Sequence, residues 1–264
     1  GDDEQTAAYV LTLDAVNFGS GFVPALEAES WAAEDGFYFT IAARLKRAFM
    51  SRPLTAHDLA AADETAVAEI FRLPGGPAGR QMAALFAQGW QDLGRMIAAR
   101  HQGSFMQCVR AAQGKAARLV DTLVALPQFR DIHDFEGRAV PLLKRAQSTA
   151  ADLHDAFRHK GVTLFHDIDR LTVLADNDVP HILRMEGVLE YAPALAEAVD
   201  AGEEILSGSR REIEIRACAG YAAEKLAALK GIAPIALDRI LWHRAQEDPR
   251  CREKPAHRSA STFY

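Results

Sequence analysis

Apolar positions along the chain recur mostly at three- and four-residue steps. In "FMQCVRAAQGKAARLVDTLVAL", Phe105, Cys108, Val109, Ala112, Ala116, Leu119, Val120, Leu123 and Val124 form one stripe, which predicts a helix running until Pro127 stops it. Met82, Leu85, Phe86, Gly89, Leu93, Met96 and Ile97 repeat the template and predict a second long amphipathic helix. The same reading predicts helices over about 41–50, 57–72, 139–158, 180–187, 192–200, 211–230 and 236–247. Strand patterns are few. "YVLTL" and "FYFTI" are rich in β-branched and aromatic residues and are expected to pair as a small antiparallel sheet near the N-terminus. "EIEIR" alternates like a strand, yet it runs into "ACAGYAAEKLAALK", whose Ala, Leu, Glu and Lys favour the helix, so it reads as the first turns of one. The Pro/Gly cluster "LPGGPAG" (73–79) reads as a loop between helices. The expectation is a mostly α protein in one compact domain spanning 1–264, without internal repeats.

Composition narrows the class. With 264 residues, 49% hydrophobic and 25% charged, the chain can bury a substantial core. No apolar run approaches the roughly 20 residues of a membrane span, and "GDDEQTAAYV" lacks a basic segment followed by an apolar one, so no membrane association and a cytoplasmic location are expected. Three widely spaced cysteines form neither a CxxC pair nor a disulfide framework. A net charge of −6 argues against gripping a long nucleic-acid backbone, which rewards a basic excess. It leaves room for a basic pocket serving one phosphate.

Familiar nucleotide, metalloprotease and serine-hydrolase signatures are missing, and the nine histidines show no metal-ligand spacing; neither metal nor cofactor is expected. Carboxylates in apolar neighbourhoods are the sharper candidates. Asp238 lies in "GIAPIALDRILWH", where it is either paired with a cation such as Arg239 or kept for function. Asp176, in "VLADNDVPHILR", either caps a helix or acts; Asn177 and Asp178, nearer the helix start, suit capping better. Lys144 and Arg145 are adjacent on a helix and cannot share a face, so one can point inward while the other is solvated. Glu212, Glu214 and Arg216 read as ion pairs. The tail "HRSASTFY" is either docked or a lid over a site.

Eight ordered blocks resemble the queuosine salvage proteins, the queuosine 5′-phosphate N-glycosylases/hydrolases. They are "TLDAVNFGSG" (12–21), "FYFTIAARLKRAF" (37–49), "FMQCVRAA" (105–112), "FRDIHDFEGRAVPLLKRAQ" (129–147), "LTVLADNDVPHILRMEGVLEY" (171–191), "REIEIRACAGYAAEKL" (211–226), "ALDRILWHRAQ" (236–246) and "HRSASTFY" (257–264). The resemblance implies a helical fold related to the helix-hairpin-helix DNA glycosylases and release of queuine from queuosine 5′-monophosphate or queuosine. It implies Asp238 as the catalytic carboxylate at the head of a helix, and Asp176, within "LAD", as the second acidic site residue. Phe18, Tyr38, Phe39 and Trp242 are candidates to stack on the base, each with core packing as the alternative. Leu174, Arg239 and His243 depart from the family pattern around the two aspartates and are expected to contact substrate. Lys144 or Arg145 is expected to hold the 5′-phosphate, with His257 and Arg258 next. A small-molecule partner, no stable nucleic-acid binding and a monomer complete the expectation. Two alternatives stay open: a glycosylase acting on intact nucleic acid, and a non-catalytic helical binding protein.

Overall fold

The structure, a computed structural model, describes residues 2–33 and 36–264. It starts with α1 (Asp3–Asp14), capped by Asp2, whose carboxylate accepts from the Glu4 amide at 2.9 Å. The "YVLTL" run expected as a strand lies inside this helix. Short β-prone runs do not separate a strand from a buried helix segment; here Val10, Leu11, Thr12, Leu13 and Asp14 are all buried, so the segment is wrapped by the core rather than laid on a sheet. After a turn at Ser20–Phe22 come α2 (Val23–Ala28) and α3 (Phe37–Ser51). "FYFTI" opens α3, and Ile41, Leu45 and Phe49 then bury one face at four-residue steps. The expected N-terminal sheet is therefore absent among the described residues.

The predicted 57–72 helix is two, α4 (Ala56–Ala60) and α5 (Glu64–Phe71), because Thr55 with Asp58 and then Asp63 each start a fresh cap. α6 (Pro77–His101) follows and takes in the end of the expected 73–79 loop; proline at its first position suits a helix start. It is the central strut, burying Trp90, Leu93 and Ile97, and Gly94 admits the α4 backbone, since a Cβ there would meet the Ala60 nitrogen at 2.4 Å. The single helix expected over 105–124 is broken into α7 (Phe105–Ala111) and α8 (Ala116–Val124). Gln113 and Gly114 turn through positive φ, and the remote Asp167 caps α8 through the Ala116 amide at 2.6 Å.

Among the described residues the one two-stranded sheet lies in mid-chain, where β1 (Ile132–Phe135) pairs antiparallel with β2 (Arg138–Pro141) through Glu136 and Gly137, both at positive φ. The helix expected from 139 consequently starts later, as α9 (Lys144–Arg158). The remaining helices are α10 (Asp178–Met185), α11 (Pro193–Asp200), α12 (Arg210–Lys230), α13 (Pro234–Glu247) and α14 (Pro249–Glu253). "EIEIR" is helical in α12, as its downstream residues predicted. Gly231, at φ 66°, ends α12 and turns the chain into α13. A large core built on α1, α6 and α9 sits beside a smaller one formed by α10, α12 and α13. Among the described residues no helix is long and apolar enough to cross a membrane.

Candidate active site

A cavity of about 580 Å³ opens where residues from both cores meet. Its lining comes from the loop after α1 (Asn17, Phe18, Ser20), the start of α3 (Phe37, Tyr38, Phe39), one face of α9 (Lys144, Ser148, Ala151, Asp152), the 174–179 segment, and α13 (Ile235, Asp238, Arg239, Trp242, His243, Gln246). Tyr264 completes the wall. Lys144, Ser148 and Asp152 share the helix spacing i, i+4, i+8, which puts all three on one face.

Asp176 and Asp238, 62 positions apart, come together here, both nearly excluded from solvent at 7% and 6% exposure. The Leu174 amide donates to Asp238 Oδ1 at 2.8 Å, tying α13 to the segment that carries Asp176. Arg239 is not the partner of Asp238; it turns away to pair with Asp155. Among the described residues Asp238 therefore has no cation in direct contact, and its carboxyl is pushed up to about 7, first by burial and then by the charge of Asp176.

The capping roles differ from expectation. Asn177 is already in right-handed helical geometry, with φ −92° and ψ −28°, and its side chain caps nothing. Asp176 Oδ1 instead accepts from the amides of Asp178 (2.9 Å) and Val179 (3.3 Å), while Oδ2 faces Lys144 Nζ at 3.6 Å. Capping and charge placement are thus divided between its two oxygens. Asp178 accepts from Gln246 at 3.0 Å, and burial followed by Asp176 raises its carboxyl to about 7.

Lys144 and Arg145 do face different ways, but Arg145 is the one sunk in the core. Its guanidinium lies 4.6 Å from the Phe18 ring and 4.5 Å from that of Phe129. It donates to the carbonyls of Asp14 (2.7 Å), Gln128 (2.9 Å) and Thr262 (2.6 Å). With its donors committed and no place in the cavity wall, Arg145 is a structural strut, contrary to the expected phosphate role. His257 is likewise buried and held neutral, its imidazole lowered to about 3 mainly by burial, and Arg258 binds Glu204 at 3.6 Å; neither lines the cavity.

The tail is docked. The Gly19 amide donates to the Tyr264 carbonyl at 3.1 Å, and a Cβ on Gly21 would meet the Ser259 carbonyl oxygen at 1.9 Å. The Tyr264 ring stacks 4.3 Å from the guanidinium of Arg216. Arg216 is fully buried, binding Asp131 at 2.6 Å and Glu212 at 2.9 Å, while Asp131 also accepts from the Lys144 amide at 3.2 Å. One buried ionic network so sets both the start of α9, hence Lys144, and the Tyr264 wall.

Tyr38, Phe39, Trp242 and His243 form an aromatic group at the rim, with centroids 5.1–6.5 Å apart along the chain of contacts. Phe18 lines the cavity but is mostly core, edge-on to Phe86 at 5.1 Å. Leu174 and Arg239 also line it. Sequence reasoning passed over Asp152, and Asp14 behind it, and read Asp178 as a helix cap. Asp14 carried a signal: an acid set among Leu11, Leu13, Ala15 and Val16.

A helical scaffold with a half-open cavity, aromatic on one side and lined by carboxylates, defines a small-molecule site able to steady a developing positive charge. The chain belongs to the queuosine salvage protein family, which matches residues 1–264. It is 38% identical over 272 residues to a Sphaerobacter thermophilus protein described as queuosine 5′-phosphate N-glycosylase/hydrolase, covering 99% of this chain and 82% of the relative. Relatives with the same description occur in Dictyostelium discoideum (31% over 269 residues; 99% and 79%) and Mus musculus (33% over 187 residues; 66% and 55%).

Proposed function

We propose that this protein hydrolyses the N-glycosidic bond of queuosine 5′-monophosphate and releases free queuine for salvage into tRNA modification. The observation that carries this is the convergence of Asp176 and Asp238 in one aromatic-walled cavity, in a chain whose relatives are described as acting on that nucleotide.

Breaking the bond builds positive charge at C1′ of the ribose. Many purine glycosylases ease departure of the base by protonating N7, but queuine is a 7-deazaguanine with carbon there, so that route is closed. More of the barrier then falls on electrostatic stabilisation of the ribosyl cation. Asp238 suits this role. Leu174 holds its Oδ1, and among the described residues Oδ2 accepts no hydrogen bond from the protein, so it faces the ribosyl carbon or the attacking water. Asp176 holds Lys144 and supplies the second negative charge, in a catalytic or base-holding role. Tyr38, Phe39 and Trp242 stack on the base, Leu174, Arg239 and His243 border it, and Lys144 takes the 5′-phosphate. The cavity volume matches a mononucleotide rather than a polymer. The protein acts as a monomer in a reducing cytoplasm; free Cys108, Cys218 and Cys251 are in line with the second part of that reading.

The test is incubation with queuosine 5′-monophosphate, queuosine and queuosine-containing tRNA, with chromatography for free queuine. Release from the nucleotide is expected; release from tRNA alone, or from none, overturns the reading. Asp238→Asn should remove release by a factor of at least about 10³ while leaving the melting temperature at or above that of the parent, since no ion pair is lost.

A further inference from the structure

The carboxylates around the cavity fall into two groups. Asp176 raises both Asp178 and Asp238. Asp152 keeps other company: the neighbouring acids acting on it or feeling it are Asp14 and Asp155. It lies eight residues along the same face of α9 from Lys144, about 12 Å at the helix rise, and it feels the charges of Lys144 and Arg239 without an ion pair to either among the described residues. Ser148 donates to Asp152 Oδ2 at 3.2 Å, while Oδ1 accepts nothing from the protein among the described residues.

Behind it stands Asp14, 1% exposed, with both carboxyl oxygens unpartnered among the described residues. The nearby Thr149 hydroxyl gives its proton to the Arg145 carbonyl instead, at 2.8 Å. Asp14 is the last residue of α1, where helix carbonyls disfavour a negative charge. Burial and the neighbouring Asp152 hold its carboxyl well above the usual carboxylate range. Asp152 is pushed up to about 6, mainly by burial, so it remains ionised at neutral pH. Tyr38, on the cavity wall, keeps its proton because burial and both of these acids raise it. The pair therefore presents a single negative charge, on Asp152, half-buried and, among the described residues, without a cation in ion-pair contact. A charge in that setting is costly until a cation meets it.

We propose that Asp152, backed by the buried Asp14, is the specificity-determining acceptor for the secondary ammonium on the side arm of the queuine base. The inference rests on the substrate reading above. That substrate brings two positive features, the transient charge at C1′ and the permanent ammonium on the arm at ring carbon 7. The two carboxylate groups match them one to one: Asp176 and Asp238 serve the first, and Asp152 serves the second through a charge-assisted hydrogen bond from the ammonium to Oδ1. A 7-deazaguanine nucleotide without the amine leaves Asp152 unpaired and is discriminated against on that account.

The test measures kcat and KM for queuosine 5′-monophosphate, and the competitive inhibition constant of 7-deazaguanosine 5′-monophosphate, which lacks the arm. Both are read for the parent protein, Asp152→Asn and Asp152→Glu. The expected result for Asp152→Asn is a 10- to 100-fold loss of kcat/KM, carried by KM, with the inhibition constant unchanged within about threefold. Asp152→Glu, which keeps the charge, should recover most of the loss. Equal weakening toward both compounds would overturn the proposal, because Asp152 would then serve the fold or the common ring. So would a fall in kcat alone, no change toward either compound, or failure of both variants to fold. A parent protein that releases no queuine at all would instead remove the substrate reading on which the proposal stands.

Discussion

Replacing Asp176 with asparagine separates its two roles. The amide oxygen can still accept from the Asp178 and Val179 nitrogens, and asparagine caps helices about as well as aspartate, so the start of α10 survives. The charge is lost. Asp238 stands at about 7, raised first by burial and then by Asp176. Asparagine leaves the burial in place and removes the repulsion. It also frees Lys144, now 3.6 Å from Asp176, to act on Asp238. Both changes move Asp238 down. Burial, the larger cause, persists, so Asp238 does not return to its ordinary 3.8. A displacement of roughly one pH unit, equivalent to ~1.4 kcal/mol between the two protonation states, is the reasonable magnitude. Asp178, also at about 7 through the same two causes, moves in the same direction, so the two effects cannot cancel. If ionised Asp238 faces the ribosyl cation, kcat/KM of the parent falls tenfold per pH unit below about 7. The acidic limb of Asp176→Asn should lie about one unit lower, making its rate at pH 5, relative to its own plateau, roughly tenfold higher than that of the parent. The assay is queuine release from queuosine 5′-monophosphate between pH 4.5 and 9. The plateau itself will drop; only the position of the limb counts. A limb that stays in place or moves upward refutes the electrostatic coupling of the two aspartates.

Two further perturbations test the surroundings of the site. Arg145→Met strands the carbonyls of Asp14, Gln128 and Thr262 and should cost roughly 3–5 kcal/mol in urea unfolding; unchanged stability with weakened binding of the 5′-phosphate alone would return Arg145 to the phosphate. Asp14 has a raised carboxyl in the folded protein, so the stability it permits is complete below the ordinary carboxylate range and is lost as pH rises toward its folded value. Asp14→Asn should therefore melt above the parent at pH 7–8, with the gap closing near pH 4; a lower melting temperature at pH 7 would show that Asp14 is ionised and paired.

Much of this protein is written in local pattern. The α6 stripe and the helix-favouring run of α12 need only periodicity and propensity, and the structure keeps both. So do the two aspartates in apolar surroundings, since a carboxylate among Leu, Ile and Trp is anomalous whatever the fold around it. The adjacency of Lys144 and Arg145 already required them to diverge on a helix. Tertiary structure decided the rest. It chose helix for "YVLTL" because core on several sides offers more burial than one face of a small sheet, and for "FYFTI" because it opens a helix whose later turns bury Ile41, Leu45 and Phe49. It broke 105–124 at Gly114, where positive φ and a remote cap from Asp167 outweigh a continuous apolar stripe. It sent Arg145 rather than Lys144 into the core because three backbone carbonyls and two rings wait there. It gave the α10 amides to Asp176, since capping depends on where the backbone turns helical and not on nearness in sequence. Asp152 and Asp14 escaped notice for the same reason: on its own helix Asp152 looks solvated, and only the fold brings it to a cavity wall shared with residues of α3 and α13, far away in the chain. Residue types and spacing determined which groups could carry charge. Only packing determined which of them lost water, and with it the energies that turn a carboxylate into a site.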